Sequence, residues 1–245
     1  MANILPARTN PHRQGVKQTG GRPLGLRLRL PLAGDRFDAA RTLLDFVNSD
    51  ATLLLDLAEA MLELWEYDRG RAEFLDAILK AGNSMYAVKS SWDGLELRVL
   101  PEIKDQVQQV FNGAVGSPGD HLRNAWNEAY GRKADGVKAY SESIKAVESA
   151  LAPVVSPDNL KATLGTMIKD VESKPEKWVF SVPDGRVSGV NFVLSTMKVL
   201  WDGQTSRHGS ASKTEAETDD QARAAVHLAA TLVQFAVGGA FARSR

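Results

Sequence analysis

Apolar side chains recur at steps of three and four residues through most of this chain, the spacing that gathers them on one face of a helix. Phe37, Leu43, Leu44, Phe46 and Val47 predict a first helix, and Leu53, Leu54, Leu57, Met61, Leu62 and Trp65 a second, with Asp50 as its N-cap. A third covers Ala72 to Lys80 and closes at Gly82-Asn83. The period then drops to two. Met85-Tyr86-Ala87-Val88 and Leu95-Glu96-Leu97-Arg98-Val99 flank Trp92-Asp93-Gly94, which predicts a β-hairpin. A lone hairpin is marginal in water, so this one needs helices or another strand to lie on. Pro101 then opens a helix through Ile103, Val107, Val110 and Phe111 that stops near Gly113.

Gly116-Ser117-Pro118-Gly119-Asp120 concentrates helix breakers and capping residues, and a domain boundary is expected there. The helix beyond it presents Leu122, Trp126 and Tyr130 on one face. The next, after the Gly131-Arg132 turn, carries Tyr140, Ile144, Val147 and Leu151, an amphipathic stripe expected to end at Pro153. Ser156-Pro157-Asp158 is read as the cap of a helix faced by Leu160, Leu164, Met167, Ile168 and Val171. Trp178-Val179-Phe180 reads as a short apolar connection, Val187 to Trp201 as a helix stopped by Asp202-Gly203-Gln204, and Ser206 to Asp219 as a loop. A last, very apolar helix runs from about Asp219 to Val237. The fold class is therefore mostly α: a basic tail over 1–33, an N-terminal helical module with a β-hairpin over 34–115, and a C-terminal helical bundle over 116–245.

Composition changes this picture in three ways. The chain of 245 residues has no cysteine, which excludes disulfides, thiolate zinc sites and cysteine nucleophiles and is compatible with a cytoplasmic setting. Its net charge of zero is unevenly spread. Arg8, Arg13, Lys17, Arg22, Arg27 and Arg29 stand in the first 33 residues with no acid, so the remainder is acidic by the same amount. A basic arm of this kind can contact phosphates, although its Pro, Gly, Asn and Gln content is also that of an ordinary terminus. No signal peptide is readable, and Ala224 to Ala242, the one stretch long enough to cross a membrane, holds His227, Gln234 and two glycines and is rich in alanine, which suits a bundle interior better.

The chemistry-shaped residues gather near the C-terminus. Asp220, Arg223, His227, Thr231 and Gln234 form one polar stripe on the last helix. Left unpaired inside a bundle, such groups cost about 1–3 kcal/mol each. In the simplest reading Arg223 pairs with Asp220 or a neighbour and His227 bonds a backbone carbonyl inside the bundle. In the sharper one the stripe faces a groove or a twofold interface and meets Arg207-His208-Gly209 of the preceding loop. Arginine supplies a fixed charge and histidine a mobile proton, the minimum for RNA cleavage without metal. Arg207, His208, Arg223 and His227 are the candidate catalytic residues, and neither a metal site nor a cofactor is expected, since no His-x-x-x-His pair and no phosphate-binding glycine loop is present. Glu215, Glu217, Asp219 and Asp220 lie where a helix N-terminus favours acids, which reads as capping before catalysis.

The run HLRNAWNEAYGRKADGVKAYSESIKAVESALAPVVSPDNLKATLGTMI, with Arg207-His208-Gly209 and the closing ARAAVHLAATLVQF, resembles the C-terminal domain of bacterial abortive-infection-type proteins, a helical group related to the HEPN superfamily. The likeness covers roughly residues 117–240. It implies a dimer-forming four-helix domain, a role in defence against phage, and, from some HEPN relatives, metal-independent ribonuclease activity. The catalytic signature of those relatives is an arginine followed after four to six residues by a histidine, and here Trp201, Asp202 and Gly203 precede His208 at those positions, and Asp220, Gln221 and Ala222 precede His227. Arg223 is one residue too close. The expected function is thus a defence-related helical protein that works by homo-oligomerisation or by binding a partner, RNA included; the alternative is a metal-independent endoribonuclease.

Overall fold

The computed structural model describes residues 28–30, 35–65, 68–159, 161–207 and 215–244. Among them are nine α-helices and two sheets of two strands each, so the chain is mostly α. In order these are α1 (Arg36–Ser49), α2 (Ala51–Leu64), α3 (Arg69–Ala81), β1 (Tyr86–Val88), β2 (Leu95–Leu97), α4 (Pro101–Gly113), α5 (Ser117–Tyr130), α6 (Gly136–Val155), α7 (Leu164–Ser173), β3 (Trp178–Phe180), α8 (Gly189–Asp202), α9 (Asp219–Val237) and β4 (Phe241–Arg243). Two compact units emerge. One holds the described residues up to Ile78 with Val88–Gly94; the other holds Leu79–Ala87 and everything from Leu95 onward.

The first unit is built on aspartate caps. The Asp35 carboxylate accepts from the Phe37 and Asp38 amides while Asp38 accepts from the Asp35 amide, and Asp50 accepts from the Thr52 amide at the head of α2. Few of its side chains are buried, chiefly Ala58, Ala60, Leu62, Ala72 and Val88. Between α2 and α3 an apolar cleft of about 470 Å³ is lined by Leu54, Leu57, Met61, Phe74 and Ile78. The hairpin loop is wider than Asp93-Gly94 alone: the Lys89 amide donates to the Gly94 carbonyl at 2.9 Å, and Trp92 takes a positive φ of 63°.

The second unit packs around α6, which lies against α5, α9 and α7. Alanines line these contacts: Ala125 and Ala129 on α5, Ala139 and Ala146 on α6, Ala222 and Ala229 on α9 are all fully buried. Small side chains let the helix axes approach closely, and Leu122, Val147, Leu151, Leu164, Met197 and Leu232 fill the space between. β2 finds the support a bare hairpin lacks, since Glu96 bridges to Gly131 and the Arg132 amide donates to the Leu95 carbonyl at 3.1 Å.

Four expectations are corrected. Gly116–Asp120 is a tight corner between helices and not a domain boundary: Val107, Phe111 and Ala114 of the α4 region share one core with Leu122 and Trp126 of α5, and breaker residues alone cannot distinguish a linker from such a corner. Pro153 does not end α6, which continues to Val155: the proline removes one ladder donor, and the Ser156 amide still closes on the Ala152 carbonyl. α7 starts at Leu164 and not after Asp158. Thr163 and Thr166 form its capping box, and the Glu148 carboxylate accepts from the Leu164 amide at 2.7 Å; Leu160 lies outside the described residues. Trp178–Phe180 is a strand paired antiparallel with Phe241–Arg243, in the register Trp178 to Arg243 and Phe180 to Phe241. No helix of the described residues is long and apolar enough to cross a membrane.

The corner yields a test. A Cβ on Gly119 would lie 2.1 Å from the Ala114 carbonyl oxygen and 2.6 Å from that of Phe111. Gly119→Ala should therefore lower the unfolding free energy by about 2 kcal/mol or more, read as a fall in urea midpoint with an unchanged slope.

Candidate functional site

The polar stripe of α9 keeps its expected periodicity and finds specific partners. Arg223 Nη2 donates to Asp220 Oδ1 at 2.6 Å, and the Thr231 hydroxyl donates to the His227 carbonyl at 3.0 Å. His227 departs from expectation. Its Nε2 shares a hydrogen bond of 2.8 Å with the hydroxyl of Tyr130, at the far end of α5, and not with a backbone carbonyl. The ring stands edge-on to both Trp126 and Tyr130, each 6.1 Å away, and those two stack on one another at 4.0 Å.

The network extends behind this face. Trp126 Nε1 donates to Glu96 Oε2 at 3.2 Å, and the Lys104 ammonium pairs with Glu96 Oε1. Glu96 is only 5% exposed. Strand alternation around Leu95 would send its side chain to solvent, so nothing in its own sequence neighbourhood marks it as buried. A charged acceptor that deep is tolerated because an ammonium and an indole N–H both reach it. α4, β2, α5 and α9 are thereby linked through Lys104, Glu96, Trp126, Tyr130 and His227.

In front of the network an open groove of about 590 Å³ runs between α4 and α9. Ile103, Gln106 and Val110 line one wall and His227, Thr231 and Gln234 the other. Burial holds the His227 imidazole below its ordinary pKa and so favours the neutral ring. Burial likewise raises the Tyr130 phenol, partly offset by the positive charge of Arg223. Of the sequence-predicted residues, His227 bonds Tyr130, while Arg223, one turn earlier on α9, pairs with Asp220. Arg207 ends a single 3₁₀ turn, Thr205–Arg207, while His208 lies outside the described residues, as does the supposed meeting of His208 with the stripe.

The Thr205–Arg207 turn is tied to the residues just before α9. Glu217 accepts from the Ser206 amide at 2.8 Å and the Ser206 hydroxyl at 2.6 Å, and the Thr205 hydroxyl donates to the Glu215 carbonyl at 2.9 Å. Burial opposes the charge on Glu217, but the donors from Ser206 outweigh it and hold the carboxyl below its usual range. Glu217 is thus a clamp, while the N-terminus of α9 is capped by Thr218 and Gln221. On α5 and α6, His121 Nδ1 and the Lys145 ammonium each lie 2.7 Å from one oxygen of Glu142. Burial again opposes ionisation of Glu142, and these partners outweigh it. His121 and Glu142 stand 21 residues apart, a spacing with no readable signature.

Comparison of the chain with protein-family models, with curated proteins and with solved structures gives no match.

Two measurements probe this site. His227 is held neutral in the folded chain, so the unfolded chain binds its proton more readily; the stability it contributes is present above about pH 6.5 and is lost as pH falls below that value. His227→Gln should flatten the pH dependence of the melting temperature between about pH 7 and pH 5, and an unchanged slope would refute the assignment. Glu217→Ala should cost about 1–3 kcal/mol by orphaning the Ser206 donors, and should speed amide exchange at Ser206 while leaving the centre of α6 protected.

Proposed function

We propose that this chain is a binding protein of phage defence, and that it acts by docking a partner on the α4–α9 groove. The observation that carries this reading is the groove itself, an open channel of about 590 Å³ in which exposed Ile103 and Val237 stand beside Gln109, Thr231 and Gln234. Apolar surface with interleaved hydrogen-bonding groups is the composition of a recognition surface. The tie of Arg223 to Asp220 supports binding over catalysis, since the carboxylate offsets the charge that a phosphate would meet. The defence setting rests on the abortive-infection resemblance of residues 117–240. Homo-oligomerisation belongs to the same proposal, with a second copy as one form the partner takes.

The second reading, a metal-independent ribonuclease, draws on the hydrogen bond between Tyr130 and His227, with Arg223 one turn earlier on α9. There the imidazole would move the proton of a 2′-hydroxyl and the guanidinium would meet the phosphate charge.

Plaque formation on cells expressing the chain separates them. Binding predicts that Val237→Glu and Thr231→Lys, both at exposed groove positions, weaken protection at least tenfold, with no RNA cleaved by the unaltered chain. Protection that survives both groove substitutions would refute docking at this face. Cleavage of RNA by the purified protein in EDTA, lost in His227→Ala and in Tyr130→Phe, would establish the ribonuclease instead.

A further inference from the structure

The lining of the α4–α9 groove repeats along both walls. The α4 wall takes Ile103, Gln106 and Val110 and the α9 wall His227, Thr231 and Gln234, with the lining running on to the residue just past each helix end. Both series advance by three or four residues, so each wall offers one stripe about three turns long, roughly 16 Å at 1.5 Å per residue. A point ligand would need convergence from several elements at one level. Two stripes along neighbouring helices instead form a trough for a third rod.

Two further properties narrow the occupant. Gly113 and Ala114 on one wall and Ala230 and Gly238 on the other leave room for a backbone to come close. None of the lining residues is Asp, Glu, Lys or Arg, and burial holds the one titratable ring, His227, neutral. A charged side chain pressed against these walls would lose hydration and gain no counter-charge. Neutral amides and hydroxyls lose little, because Gln106, Gln109 and Gln234 each offer a donor and an acceptor.

We infer that the α4–α9 groove receives a partner's amphipathic helix of about three turns whose contact face is apolar and whose flanking positions are uncharged Ser, Thr, Asn or Gln. This rests on the binding reading above and adds the identity of the occupant. Selectivity comes from exclusion: helices flanked by Lys or Glu, the commonest amphipathic type, are rejected by desolvation.

The test uses the full chain and three labelled alanine-based peptides of about 14 residues, long enough for the three turns. All carry the same leucine stripe, with flanks of Gln, Lys or Glu, and binding is read by fluorescence anisotropy at physiological salt. The Gln-flanked peptide should bind at least tenfold more tightly than the other two and lose at least tenfold on Val237→Glu. Thr231→Lys should shift the preference towards the Glu-flanked peptide. Equal or tighter binding of a charged peptide to the unaltered chain, or indifference to Val237→Glu, would overturn the inference. So would failure of all three peptides to bind, in which case the plaque measurement still decides whether the groove docks anything. Self-association in sedimentation that is abolished by the same substitutions would also overturn it, by assigning the trough to a second copy.

Discussion

Three helices of the second unit meet along alanines, and the closeness this permits determines much of what surrounds them. α6 can lie against α5 and α9 together only because Ala125, Ala129, Ala139, Ala146, Ala222 and Ala229 keep the facing surfaces thin. Close axes bring side chains at the edges of the seams within bonding distance. Tyr130 can reach His227 across 97 residues of sequence, and His121 can reach Glu142. Bulkier seams would hold the helices apart, and these polar pairs would face water.

Burial of polar groups then follows a consistent economy of pairing. Glu96, Glu142 and Glu217 are all nearly inaccessible, and each has two or more donors. Such groups add little net stability compared with apolar replacements, but leaving any one of them with a missing partner is costly. Each of them fastens particular elements to one another. Glu96 ties β2 to α4 and α5, Glu142 ties α5 to α6, and Glu217 ties the Thr205–Arg207 turn to the residues just before α9. Trp178 Nε1 is the buried side-chain atom without a partner among the described residues, set beside Phe241 and under the Arg243 guanidinium.

The first unit follows another logic. Its helices are well capped, yet Phe37, Leu44, Leu54, Phe74 and Ile78 remain largely exposed and the cleft between α2 and α3 is almost wholly apolar. Capping and helix propensity are local effects and act without a filled core. The second unit, by contrast, owes its order to burial.

Helix identity was legible because it depends on neighbours three and four residues away. The period of Tyr140, Ile144, Val147 and Leu151 places α6, Asp219 to Val237 places α9, and Asp93-Gly94 between alternating runs places the hairpin. The polar stripe from Asp220 to Gln234 was readable for the same reason, and it offered Asp220 as one partner for Arg223, the one the structure shows. Everything joining distant segments was decided by tertiary packing: α4 entering the same core as α5, Trp178–Phe180 pairing with Phe241–Arg243, Glu96 turning inward to Trp126, and His227 meeting Tyr130 rather than a carbonyl. A sequence records which face of a helix is apolar, but the partner that covers a polar group is set by the distance and angle between axes. Those depend on the summed volumes of side chains drawn from the whole unit, a quantity no local pattern contains.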